Sequence, residues 1–324
     1  MINNFKILPG FIPADSFDIL KKYNVKETYV GFYDNFSEKN WPVAFHAINR
    51  RGEGANFCGI KEFSALAKNA EKNGMNLYLA FNVFYSRRQL DWILKSIIRI
   101  SKFSSVKGII VADMNLLLML KKIKYDKKII ISTLGTVFNK YAIDFYSSLG
   151  AKRFVLDRQM TAKEIFDTIK SFPQYQYEIF FLIGDGCLFI DGYCSSMHTQ
   201  EKDKLKRYNT SYQTTLCMDV LNNIKNKNSL KKILSYKCNI CMLYYLKNLS
   251  NVSLKIPNRT ITNATGADIM ETILKIDNKL SQKNVSFKEY SSFCKKLFKE
   301  NKGCLCNPKV CLCRDLYGKN FNNK

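Results

Sequence analysis

Eleven cysteines carry most of the chemical information in this chain. Cys58 stands alone, and the other ten lie between Cys187 and Cys313. The first residues, Met-Ile-Asn-Asn-Phe-Lys, lack the basic-then-apolar pattern of a secretion signal. An odd cysteine count in that context argues against a disulfide scaffold and for metal, cluster or redox thiols. Cys187 and Cys194 flank six residues, Cys217 follows after 22 more, and Cys238 and Cys241 form a C-x2-C pair. Four soft thiolates drawn from separate segments suit an iron–sulfur cluster or a tetrahedral zinc ion, and spacing alone leaves both open. Further on, Cys304-Leu-Cys306 and Cys311-Leu-Cys313 are separated by four residues. Paired C-x-C elements this close are a second metal signal, for zinc or iron–sulfur, with Cys294 as a further donor or a core residue.

Hydrolytic chemistry has less to draw on. The two histidines, His46 and His198, sit in neither a His-Glu-x-x-His zinc motif nor a nucleophile elbow. Cys187 with His198 could form a Cys–His pair, but a thiolate that ligates a cluster is not a free nucleophile. The net charge of +24, from 51 Lys and Arg against 27 Asp and Glu, invites a nucleic-acid reading. The lysines are spread along the whole chain, however, which equally describes a solvated basic surface. No apolar run reaches the roughly 18–20 residues of a membrane span; the longest, from Ile179 to Ile190, is broken by Asp185. The expectation is a cytoplasmic protein.

These residues need a scaffold, and the periodicity supplies one. Short apolar strands are expected at Phe5–Leu8, Thr28–Gly31, Asn76–Phe81, Lys107–Ala112, Lys128–Ser132, Arg153–Leu156, Glu178–Ile183 and Val252–Ile256. Helices are expected between them at Ala14–Tyr23, Ile60–Asn73, Arg88–Lys102, Asn115–Lys122, Val137–Leu149, Ala162–Ser171, Thr214–Lys225 and Ala267–Leu280. Runs such as Ile109-Ile110-Val111 and Ile129-Ile130-Ile131 fit parallel strands covered on both faces. Eight strand–helix alternations point to an α/β fold, a TIM-like (β/α) barrel, with an open doubly wound sheet as the alternative. The expected organisation is a barrel over residues 1–282 with an insertion near 195–237, then a Cys-rich tail over 283–324. In a barrel the active site lies at the C-terminal strand ends, which here carry Asn82, Asp113, Ser132, Thr133, Arg158, Cys187 and Lys255.

Several segments resemble one family, the collagenase-like peptidases of family U32. Arg50-Arg51 followed by Ala55-Asn56-Phe57 is similar to the family's segment after its second strand. Ser132-Thr133, Val137 and Asn139 resemble its Ser-Thr-Gln-x-Asn-Val-x-Asn segment, and Gly150 through Leu156-Asp157-Arg158 its Gly-x-x-Arg-x-Val-Leu-Ser-Arg-Glu stretch. Gly184 through Cys187 and Cys194 resembles His-Gly-x-x-Cys-x6-Cys, and Lys255-Ile256-Pro257-Asn258-Arg259 resembles Lys-Ile-Glu-Gly-Arg. The blocks keep the family's order over roughly residues 25–275. Departures are Leu134 for Gln, Thr136 for Asn, Gln159 for Glu, Ile183 for His and Pro257-Asn258 for Glu-Gly.

The resemblance implies a four-iron four-sulfur (4Fe-4S) cluster on four cysteines. Two of these have the six-residue spacing, and a later one lies 17 residues before the Lys-Ile-Glu-Gly-Arg lysine, the distance from Cys238 to Lys255. The implied ligands are Cys187, Cys194, Cys217 and Cys238, with Cys241 as alternate for the last. The tail set Cys304, Cys306, Cys311 and Cys313 is not covered by the resemblance and rests on spacing. Three functional readings follow. One is cluster-dependent, oxygen-independent hydroxylation of an RNA base or a quinone-type substrate, as the resemblance implies. The second is proteolysis, as the family's name implies. The third is a cluster-bearing subunit without turnover that docks RNA or a partner protein of the same family through the basic insertion. For an enzyme, Arg158, Lys255 and Asp113 are the catalytic candidates, and Arg259, Asn82, Ser132 and Thr133 the substrate-binding ones. The cations would hold an anionic substrate or hydroxyl donor, or else form salt bridges at the barrel rim. Asp113 would be an acid/base group or the N-cap of the helix that follows it.

Overall fold

The computed structural model describes residues 1–33, 48–49, 55–183, 237–256, 264–303, 306 and 311–317. All eight expected strands occur. They are β1 (Lys6–Leu8) continuing as β2 (Gly10–Phe11), β3 (Glu27–Tyr33), β5 (Asn76–Phe81), β6 (Val106–Val111), β7 (Lys128–Ile131), β8 (Arg153–Val155), β9 (Gln176–Phe180) and β10 (Val252–Lys255). A short β4 (Asn56–Cys58), not expected from the sequence, pairs with the outer half of β3.

Every pairing between these strands is parallel, in the order β1-β10-β9-β8-β7-β6-β5-β3-β2. Because β1 and β2 are one stretch of chain interrupted at Pro9, the sheet returns on itself as a nearly closed barrel. Proline has no N–H to give to a ladder, but its carbonyl does the joining. The Pro9 carbonyl accepts from the Tyr29 N–H at 3.1 Å and the Thr28 hydroxyl at 2.7 Å.

Helices α1 (Phe17–Lys22), α2 (Gly59–Lys72), α3 (Arg87–Ile100), α4 (Met114–Lys122), α5 (Lys140–Ser148) and α6 (Ala162–Ser171) follow the strands in turn. After β9 come α7 (Leu243–Leu246), α8 (Ala264–Leu280) and α9 (Phe287–Lys302). The expected helix Thr214–Lys225 lies outside the described residues. Helix α6 starts where expected, with Thr161 and Glu164 closing a capping box that satisfies two orphan N–H groups. Helix α9 lies in the stretch read from the sequence only as a Cys-rich tail. Ser286 and Glu289 form its capping box, and Tyr290, Cys294, Leu297 and Phe298 bury one face against the body.

Two apolar layers result. The larger lies between strands and helices. The smaller fills the barrel with alternate strand residues: Leu8, Tyr29, Tyr78, Ile110, Ile130, Val155, Phe180 and Leu182. Gly108 marks a tight approach inside this sheet, because a β-carbon there would stand 2.3 Å from the Lys128 carbonyl oxygen. No helix among the described residues is long and apolar enough to cross a membrane.

Candidate functional site at the C-terminal end of the barrel

Charged residues on strands buried from both sides must be neutralised in place. The barrel interior meets this requirement with a four-membered ladder. Arg153 on β8 donates from both terminal guanidinium nitrogens to Glu27 on β3, at 3.0 and 2.7 Å. Its Nε lies 2.7 Å from Glu178 on β9, as a close charge pair rather than an aligned hydrogen bond. The other Glu178 oxygen accepts from the Lys255 ammonium on β10 at 2.6 Å. Two cations and two anions thus balance inside the sheet. Burial would push the Glu27 carboxyl up, but the Arg153 hydrogen bonds and charge hold it below the usual carboxylate range. Lys255 is further seated 4.0 Å from the centre of the Tyr29 ring, a cation–π contact. Glu27, Arg153 and Glu178 were not singled out from the sequence. The available signal was charge inside otherwise apolar strands such as Gln-Tyr-Glu-Ile-Phe of β9.

Lys255 is therefore interior, and the structure ties it to Glu178 rather than to the barrel rim. Arg158, in the loop after β8, is half-buried and lays its guanidinium 4.2 Å from the centre of the interior Phe180 ring. Asn82, after β5, donates to the Ser132 hydroxyl at 3.3 Å, and that oxygen also accepts from the Leu134 N–H. Thr133 is buried beside them. Asp113 has both oxygens engaged by backbone donors: Leu116 N–H at 2.7 Å, as the N-cap of α4, and Tyr85 N–H at 3.1 Å. Its geometry is that of the helix cap weighed above. Arg259, Cys187, Cys194, Cys217, Cys304, His46 and His198 lie outside the described residues, as does most of the 195–237 insertion.

Cysteines from the segment after β9 and from the tail meet at this same end. Cys238 forms an antiparallel bridge with Ile183, just past β9, and a parallel bridge with Cys311 from the tail. Asn239 fastens this turn by donating to the Phe180 carbonyl at 2.6 Å and accepting from the Leu182 N–H at 3.0 Å. The tail then crosses the strand ends. The Leu312 N–H reaches the Cys238 carbonyl at 3.0 Å, and the Leu312 carbonyl accepts from Ala162 at the start of α6 at 2.8 Å. The Leu312 side chain packs on the barrel-interior cluster.

The Cys241 sulfur lies 3.0 Å from the Tyr317 hydroxyl. Hydrogen bonding from Cys294 holds the Cys241 thiol below its ordinary value, whereas burial pushes Cys238, Cys294 and Cys313 up. Among the described residues, no three His, Cys, Asp or Glu side chains already stand arranged as metal ligands. A cavity of about 550 Å³ opens at the opposite, N-terminal end, lined among others by Lys6, Glu27, Asn76, Lys128, Arg153 and Gln176. It lies beneath the ion ladder, away from the strand ends where barrel chemistry is built.

A nearly closed parallel barrel surrounded by helices, with cysteine-bearing segments at the C-terminal strand ends, is a TIM-like fold of the α/β class. The sequence profile of Peptidase family U32 matches residues 14–303, and the chain belongs to that family. The tRNA hydroxylation protein P1 of Bacillus subtilis (strain 168) is 28% identical over 145 residues, 44% of this chain. The match spans about a third of that relative's length, 34%. Among solved structures, the U32 peptidase Mk0906 superposes with a TM-score of 0.49 at 11% identity, over 80% of this chain and 94% of that one. Oxaloacetate acetylhydrolase gives 0.42 at 10% identity, over 93% and 94%.

Proposed function

We propose that this chain is an iron–sulfur protein that hydroxylates an RNA base or a small aromatic, quinone-type ring without molecular oxygen. The observation that carries the reading is the placement of Cys238. The residue that the family resemblance marks as a cluster ligand is buried, pinned on both sides, and held at the C-terminal end of β9. Its neighbour in the bridge, Ile183, precedes Cys187 by four residues in the sequence. The donor chemistry fits the group: a soft sulfur in an apolar, water-poor setting is what a cluster requires of its ligands. When bound, a cluster on Cys187, Cys194, Cys217 and Cys238 would supply one-electron chemistry at the barrel mouth.

The chain's own residues have separate tasks in this reading. Arg158, spread over Phe180, presents a guanidinium whose planar fork suits a phosphate or carboxylate of the substrate or hydroxyl donor. Lys255, fixed by Glu178 and Tyr29, holds an oriented ammonium in the interior with its charge balanced by Glu178. Asn82 and Ser132 form a neutral hydrogen-bonding pair after β5 and β7. Support from outside the chain comes from the relative named for tRNA hydroxylation.

The test compares wild type with Cys194→Ser after anaerobic isolation. Visible absorbance and nucleoside hydroxylation, read by mass spectrometry of RNA from a complemented deletion strain, should disappear together. Peptide cleavage that survives both Cys194→Ser and complete iron removal would overturn the proposal in favour of the peptidase reading. Salt-sensitive RNA binding without turnover would overturn it in favour of a docking subunit.

A further inference from the structure

We infer that the cavity at the N-terminal end of the barrel binds a small molecule bearing two or more phosphate groups, held by the ammonium groups of Lys6 and Lys128. Strand periodicity builds this site. Side chains alternate across a strand, so a residue two positions before a member of the interior cluster faces the same way. Lys6 stands in this relation to Leu8 on β1, Glu27 to Tyr29 on β3 and Asn76 to Tyr78 on β5. Lys128 stands so to Ile130 on β7, and Arg153 to Val155 on β8. All five line the cavity of about 550 Å³. The apolar interior layer lies above them, which separates this end from the C-terminal strand ends.

The charges around the cavity do not balance. Lys6, Lys26, Lys128, Arg153 and Lys247 line it, against Glu27 as the one carboxylate of the lining. Glu27 is already engaged by both terminal nitrogens of Arg153 and by the Ser253 hydroxyl at 3.1 Å. Among the described residues, none of the four lysines has a carboxylate within ion-pair distance. Lys6 donates to the Ser250 carbonyl at 2.5 Å, and Lys128 to the Gln176 side-chain oxygen at 2.7 Å. An ammonium has three donors, so each keeps two for a ligand. Burial, and then the Arg153 charge, draws the Lys128 pKa below its ordinary value, a cost that a bound anion would offset. Concave walls focus the field of such cations, and an anion is what they attract. The guanidinium fork that matches planar carboxylates is occupied by Glu27. What remains are ammonium point charges, which serve phosphate oxygens. The volume lies within the roughly 300–1,000 Å³ of small-molecule sites, so it holds more than a single phosphate. A ligand shared by Lys6 and Lys128 would tie β1, at the seam with β10, to β7 across the base of the barrel.

The inference is independent of the hydroxylation reading, and its test uses no activity. The full-length chain is titrated with inorganic pyrophosphate and with ADP in metal-free buffer by isothermal calorimetry, and Tm is followed in parallel. The expected result is one site per chain, with a Tm that rises with ligand concentration. Tighter binding of ADP marks a nucleotide as the source of the phosphates and tighter binding of pyrophosphate an inorganic one; either supports the inference. Lys6→Gln with Lys128→Gln should weaken binding about tenfold or more, because charge-assisted hydrogen bonds are worth at least that. Lys275→Gln with Lys299→Gln removes the same charge from exposed positions outside the cavity and should leave binding within about twofold. Circular dichroism separates lost binding from lost folding, and Lys6→Gln alone, a change at an exposed side chain, should weaken binding in the same direction. Equal losses in the two double variants would reduce the effect to a diffuse basic surface and overturn the inference. Citrate binding as tightly as pyrophosphate would overturn the phosphate class. Failure of both pyrophosphate and ADP to bind, with or without single-stranded RNA binding through Lys6 and Lys128, would overturn it as well.

Discussion

Replacing Glu178 by Gln removes one charge from the middle of the interior ladder while keeping the side chain's shape. Glu178 is fully buried and lies 2.7 Å from Arg153 Nε and 2.6 Å from Lys255 Nζ. Arg153 keeps Glu27 as a partner, and Lys255 keeps its contact with the Tyr29 ring but loses the Glu178 carboxylate. Breaking a buried ion pair by removing one partner costs about 3–5 kcal/mol, since the remaining charge stays desolvated. At the lower edge of the usual conversion for large domains, about 2 °C per kcal/mol, Tm should fall by about 6–10 °C. The Lys255 ammonium then faces a neutral amide where the Glu178 carboxylate had stood. Adding Lys255→Met should recover part of the loss, because the desolvated ammonium that had faced Glu178 is gone. Scanning calorimetry of wild type, both singles and the double gives the coupling. A Glu178→Gln variant within about 2 °C of wild type would refute the claim that these charges are mutually dependent.

Three further outcomes follow from local geometry. Thr136 stands at φ 54° after the 133–135 turn, a left-handed conformation that a β-branched residue rarely adopts. Thr136→Gly should stabilise the protein by about 1 kcal/mol in urea unfolding, provided relief of strain exceeds the entropy of glycine. Asp113→Ala removes the cap of α4 and the partner of Tyr85 N–H, and should cost about 1–2 kcal/mol by the same measurement. Glu27, held below its usual range by Arg153, contributes stability present above the unfolded-state value of about 4.3 and lost as pH falls through its lower folded value. Tm should be insensitive to this group from about pH 5 upward and decline below about pH 4, as pH-dependent calorimetry would show.

The barrel was legible because its signals are local. Apolar parallel strands such as Ile129-Ile130-Ile131, and caps such as Thr161 with Glu164, announce themselves within a few residues. The ladder was not, because Glu27, Arg153 and Glu178 lie far apart in sequence and meet only when the sheet closes. The helix at Phe287–Lys302 could have been found from Ser286 and Glu289 and the spacing of Tyr290, Cys294 and Leu297, but its cysteine drew attention to metal chemistry instead. Likewise the C-x-C spacing of the tail carries no information that Cys311 would form a bridge with Cys238, about 70 residues earlier. Departures from the family pattern have structural sense at one position. Thr136 occupies the turn where the family places Asn, the residue that best tolerates a left-handed backbone after glycine.

The central claim is tested most directly by iron and sulfide analysis of the anaerobically isolated wild-type chain, read together with its Cys238→Ser variant. The account predicts iron and sulfide in equal amounts, at the stoichiometry of one four-iron four-sulfur cluster per chain, with visible absorbance that Cys238→Ser strongly reduces. Folded wild-type protein that holds no iron and no sulfide, and cannot be reconstituted with them, would contradict it.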